Sequence, residues 1–111
     1  MPKGQGTWLG GLLEGEGCFS WSRNHGCYIP RIHVGMVDKD IMERVASKLG
    51  TKVNGPYDKG HQPVYVAIAQ GTKALATMLT VFPEMGIRRR RRIEHILTAW
   101  EHGLPMGESR A

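Results

Sequence analysis

The chain has 111 residues, which allows one compact domain around a single core. Fifteen Lys and Arg against ten Asp and Glu give a formal net charge of +5, a balance that favours a polyanionic partner and is silent on fold. No apolar run approaches the roughly 20 residues of a membrane span, and the opening Met1-Pro2-Lys3-Gly4-Gln5-Gly6 lacks the apolar core of a signal peptide, so a cytoplasmic, non-secreted protein is expected.

Trp8 to Gly17 reads as a short apolar helix with two adjacent glycines inside it and two carboxylates, Glu14 and Glu16, at its end. Both features are costly. An interior Gly destabilises a helix by roughly 1 kcal/mol relative to Ala, and acids sit badly against the partial negative charge of a helix C-terminus. They make sense where Gly10 and Gly11 let another backbone come close and where a cation stands beside the acids. Cys18 to Arg23 then alternates as a half-buried strand, with Phe19 and Trp21 on one face and Cys18, Ser20 and Ser22 on the other. Asn24-His25-Gly26 is a turn signal. From Arg31 the alternation resumes, with Ile32, Val34 and Met36 inward and Arg31, His33 and Gly35 outward, which makes a hairpin.

Asp38 is positioned to cap a helix whose Ile41, Met42, Val45, Ala46 and Leu49 fall at helical spacing, and Gly50 fits its stop. Lys52 to Tyr57 and Pro63 to Ala69 predict a second hairpin around Asp58-Lys59-Gly60-His61, with Pro56 weakening or ending the first strand. A third helix uses Ala74, Leu75, Met78, Leu79 and Phe82, with Pro83 just past it. A last helix runs from about Ile87 to His102, with Ile93, Ile96, Leu97 and Trp100 as its apolar stripe. Gly103 to Ala111 reads as a polar, flexible tail. Cys18 and Cys27 suffice for one bridge, with nothing else to indicate an oxidising compartment; together with His25 and His33 they show no recognised zinc spacing. The order of helix, hairpin, helix, hairpin, helix, helix gives an α+β domain on an antiparallel sheet.

Leu9 to Gly17 resembles the LAGLIDADG motif of homing endonucleases. Leu9, Gly11, Leu12 and Gly17 are identical to it, while Gly10, Leu13, Glu14, Gly15 and Glu16 replace residues of like size or charge. The element order is also that of the family. The resemblance implies an αββαββα-type fold, an antiparallel saddle-like sheet with helices packed on one face, over residues 7–102, between an extension at 1–6 and the tail at 103–111. It further implies a sequence-specific, divalent-metal-dependent endonuclease that cuts both strands of a long, near-palindromic double-stranded DNA site as a homodimer. Mg²⁺ is the expected cofactor, with Mn²⁺ or Ca²⁺ substituting for binding.

By the same resemblance the metal position falls at Glu16, beside Gly15, where most members carry Asp; Glu14 matches an acid that is mainly structural. The pairing of two motif helices would bring Trp8, Leu9, Gly10, Gly11, Leu12 and Leu13 to a dimer interface, although Leu9, Leu12 and Leu13 suit a monomer core equally. The family's basic active-site residue aligns with Arg89, with Arg88 and Arg91 as near alternatives within the run Arg88 to Arg92; arginine is suited to charge stabilisation and phosphate binding rather than proton transfer. A two-stranded ribbon fits the major groove, where hydrogen-bonding side chains distinguish base edges. Alternation puts Ser20, Ser22, Asn24, Arg31 and His33 on that outward face, with Lys59, His61 and Gln62 near the second hairpin tip, followed by Tyr65 and Ala67. The family often carries a Gln near the end of the second strand; Met36, Val37 and Asp38 offer no counterpart. The alternatives are a catalytically inactive DNA- or RNA-binding protein on this scaffold, acting in intron splicing or transcription, and a small basic RNA-binding protein of unrelated fold.

Overall fold

The computed structural model describes residues 3–24, 27–60 and 62–102, without the side chains of 3–7, 22–24, 27–28, 59 and 102. The chain runs α1 (Lys3–Glu16), β1 (Gly17–Asn24), β2 (Cys27–Met36), α2 (Lys39–Leu49), β3 (Val53–Lys59), β4 (Gln62–Gln70), α3 (Thr72–Val81), a single 3₁₀ turn (Phe82–Glu84) and α4 (Ile87–His102). The expected order of elements is present. Helix α1 begins at Lys3, so part of the stretch expected as an extension is helical, and β2 begins four residues before Arg31. The expected tail at 103–111 lies outside the described residues.

The four strands form one antiparallel sheet in the order β1-β2-β4-β3. Opposite residues share a face, so the register fixes both surfaces. Phe19 lies across from Ile32 and Ile32 across from Ala69; Val34 lies across from Ala67, and Ala67 across from Val53. Apart from Val53, which packs against them, these residues and Leu9, Leu13, Met42, Val45, Leu49, Ala74, Met78, Ile93 and Ile96 form a single core cluster. All four helices therefore contribute to one side of the sheet, and the opposite face carries none of that core. This is the α+β architecture in which a one-sided antiparallel sheet buries its apolar parity under helices.

Strand β4 departs from the expected parity. Tyr65 and Ala67, expected outward, lie on the inner face, with Ala67 and Ala69 buried and Tyr65 packed against the core. The sequence Pro63 to Ala69 is apolar at both parities, so alternation alone could not choose a face. Its small residues decide it: alanines under α2 and α3 let those helices approach the sheet.

Local chemistry sets the helix ends. Gly50 adopts a left-handed conformation (φ 76°) and Thr51 N–H donates to Ala46 C=O at 2.9 Å, with Gly50 N–H donating to Ser47 C=O at 3.3 Å, a Schellman ending for α2. Asp38 occupies the N-cap position, but its side chain makes no cap hydrogen bond; its backbone carbonyl accepts Met42 N–H at 3.0 Å. Three apolar expectations shift as well. Phe82 belongs to the 3₁₀ turn, and Leu79 and Trp100 are exposed while Ala99 is buried. No helix among the described residues is long and apolar enough to cross a membrane.

Candidate functional site

The C-terminal end of α1 meets the N-terminal end of α4, and the contact offsets both the acids at the end of α1 and the arginines in the first turn of α4, each of which opposes its own helix dipole. Glu14 Oε1 accepts the Gly86 N–H at 3.0 Å, at the start of α4, where negative charge is favoured. Arg89, in the first turn of α4, reaches back and donates from Nη1 to the Gly17 carbonyl at 2.6 Å, next to the end of α1, where positive charge is favoured. Its Nε stands 3.7 Å from Glu14 Oε1. Each helix end thus receives the charge that its own sequence lacks.

Arg92 extends the seam. Its Nε donates to Phe19 C=O at 3.0 Å, and its guanidinium lies 4.5 Å from the centre of the Trp21 ring; that of Arg89 lies 5.7 Å from the Phe19 ring. The Trp21 and His95 rings stand 6.3 Å apart. Arg89 and Arg92 precede Ile93 and Ile96 by one helical turn, so the apolar stripe of α4 continues into them. That spacing was the available sign that these two arginines face the sheet. Arg88, Arg90 and Arg91 are exposed. Glu14, Gly17, Cys18, Phe19, Gly86 and Arg88, Arg89 and Arg92 line an open cleft of about 680 Å³ at this junction. Arg89 is in place beside the motif, but its guanidinium is engaged within the chain.

Glu16 behaves differently from Glu14. It is the last residue of α1, is exposed, and has no hydrogen bond or ion pair among the described residues. Those residues contain no group of three or more His, Cys, Asp or Glu side chains able to hold a metal ion. A hard cation here would take Glu16 as one donor, beside the backbone at Gly15, and need further oxygens from beyond the described residues. A carboxylate and a carbonyl are donors of the kind Mg²⁺ takes. Cys18 is exposed and free.

The residues expected at a dimer interface divide into two groups. Leu9 and Leu13 are 1% and 0% exposed and belong to this chain's own core, because their four-residue spacing points them at the sheet. Gly10 faces the same chain's 3₁₀ turn, where any Cβ would run into the Glu84 side chain. A Cβ at Gly11 or Gly15, by contrast, would meet nothing within 4 Å. The open stripe of α1 is therefore Gly11 and Gly15, flanked by Leu12 and Trp8, which are half-buried against the core. The Arg44 guanidinium covers part of Trp8, at 3.8 Å from the ring centre.

On the outward sheet face, Cys18 pairs with His33 and Ser20 with Arg31, and Arg31 in turn with Gln70. Ser20, Arg31 and His33 are each partly exposed. Arg31 Nε is covered and has no hydrogen-bond partner. Ser22 and Asn24 follow on the parity of Ser20, and Lys59 pairs with the exposed Gln62. His61 lies outside the described residues. Tyr65 is removed from this set: it lies on the other face, beside a groove bounded by Lys39, Glu43, Ala46 and Val53. Sequence reasoning missed Tyr57, Val64, Val66 and Ile68, which the register puts on the outward face.

By sequence, the chain matches no protein-family model and no curated protein. By structure it is similar to the homing endonuclease I-CvuI in complex with its target in the presence of 2 mM Ca, with a TM-score of 0.69 and 17% identity over 89% of this chain and 67% of that one. It is also similar to the archaeal intron-encoded homing endonuclease I-Vdi141I complexed with DNA, with a TM-score of 0.63 and 19% identity over 89% and 70%. The LAGLIDADG meganuclease I-AabMI bound to uncleaved DNA aligns with a TM-score of 0.62 and 19% identity over 85% of this chain and 35% of that one. With its one-sided sheet, its helices on the inner face and its glycine-rich first helix ending in Glu16, the chain has the fold of the LAGLIDADG homing endonucleases.

Proposed function

We propose that the chain is a sequence-specific, divalent-metal-dependent DNA endonuclease that cuts both strands of a long, near-palindromic duplex as a homodimer. One observation carries the reading: Glu16 is an exposed acid with no partner among the described residues, at the tip of a helix whose Gly11 and Gly15 side is open. Two such helices brought together through that side would pair two Glu16 carboxylates. The likeness to three DNA-bound endonucleases of this fold supports the substrate class.

Within this reading Ser20, Ser22, Asn24, Arg31 and His33 read base edges, and Lys59, His61 and Gln62 extend the contact along the groove. Arg88 and Arg91 bind phosphates; Arg89 sets the position of α4 against the motif. Glu16 from each copy, with the Gly15 backbone beside it, holds the divalent ion, which when bound supplies a polarised phosphate and an activated water. The test is selection of cleaved duplexes from a randomised library in Mg²⁺, for which a two-fold symmetric consensus is expected. Glu16→Gln should bind the selected site and cut it about 100-fold more slowly or worse; cleavage at the normal rate would sink the metal assignment.

A second reading keeps the scaffold and drops catalysis, leaving a DNA- or RNA-binding protein of intron splicing or transcription. The internal engagement of Arg89 favours it, as does the absence of a Gln at Met36, Val37 and Asp38. Tight binding to a selected duplex without cleavage in Mg²⁺ or Mn²⁺ would decide for it.

A further inference from the structure

Strand β4 is apolar on both faces, the pattern of a strand covered on two sides. Ala67 and Ala69 are buried under helices on the inner face, but Val64, Val66 and Ile68 stand on the outer one. Val66 is 8% exposed yet lies outside the core cluster, and Tyr57, paired with Val64, is 48% exposed. No helix among the described residues contributes core to that face. The patch is continuous with the polar reading surface: His33 lies across from Ile68, and Arg31 across from Gln70 in the next outward row.

We infer that this column reads the 5-methyl groups of thymine in the major groove, so that each half-site carries a thymine-rich stretch beside the positions read by Arg31 and His33. The inference rests on the reading of the outward face as the DNA surface. Among base edges exposed in the major groove, the thymine methyl is the apolar one and is recognised by apolar side chains. Spacing agrees as well. Outward residues recur every two positions, so Val64 to Ile68 span roughly 13 Å, or about four base-pair steps. Net charge of +5 and the flanking Lys59 suit a nucleic acid better than an apolar protein partner.

The experiment uses the full chain in Ca²⁺ and a randomised duplex library. The pool enriched by binding is copied once with dTTP and once with dUTP, which removes only the methyl groups, and the affinity for both copies is measured. Wild-type protein should bind the thymine copy about 15-fold more tightly, from two methyl contacts of about fourfold each. A Val64→Ser, Ile68→Ser double variant should bring that ratio close to one. Equal wild-type affinity for the two copies would overturn the inference and leave DNA binding standing; that comparison needs no variant to fold. A preference that persists undiminished in a folded double variant, as judged by its circular dichroism melt, would assign the effect to DNA shape and also overturn it. A variant that alters self-association with the thymine ratio unchanged would give the patch to a second copy of the chain. If no duplex is enriched at all, the DNA reading falls and this inference with it.

Discussion

Two acids two residues apart have opposite roles. Glu14 is held by the Gly86 N–H and stands near Arg89, whereas Glu16 holds nothing among the described residues. The exposed ion pair itself is worth little, so the stabilisation comes from the charged hydrogen bonds to backbone groups. Arg89→Ala should therefore destabilise the fold by about 1.5–3 kcal/mol, read as a lower midpoint in thermal or urea unfolding. Arg89→Lys should recover only part of the loss, because an ammonium lacks the planar fork. Glu16→Ala should leave the midpoint unchanged. Gly17→Ala tests the same junction sterically: its Cβ would lie 2.9 Å from the Leu13 carbonyl oxygen and 2.8 Å from Leu13 Cδ2. Backbone cannot yield as a side-chain tip can, so a cost of about 1–3 kcal/mol is expected.

At the scale of elements, α1 shows how much a short motif discloses. Its glycines and terminal acids were legible in the sequence, as were the hairpins of β1–β2 and β3–β4 and the α4 stripe through Ile93 and Ile96. The direction of each glycine was not, because Gly10 and Gly11 are alike in sequence and differ only in which neighbour arrives: Glu84 at one, nothing at the other. The face of β4 was hidden for a related reason, since valine and alanine at alternate positions are both apolar. The pairing of Glu14 with α4 joins residues 72 apart, beyond the reach of any periodicity. Gly11→Ala exploits the difference. On an open face Ala should stabilise the isolated helix by about 1 kcal/mol and raise the thermal midpoint of the monomer. If that face pairs two copies, the same methyl should weaken self-association in sedimentation equilibrium. A variant that is both more stable and less dimeric would support the pairing; unchanged association would argue against it.

For the whole molecule, the basic side chains of Arg88, Arg90 and Arg91 are exposed at the start of α4, so affinity for duplex should fall steeply with salt. A slope of log affinity against log salt that drops by about one per copy in Arg88→Gln, with sequence preference unchanged, would identify a phosphate contact. The margin of the sheet formed by β3 has a separate consequence. Pairing between β3 and β4 is interrupted between Asn54 and Tyr57, and Pro56 within that stretch has no N–H to offer. An outermost strand broken in this way is a poor template for adding further chains. Concentrated solutions should accordingly resist fibre growth from that border, and Pro56→Val would be expected to shorten the lag before thioflavin-positive aggregates form.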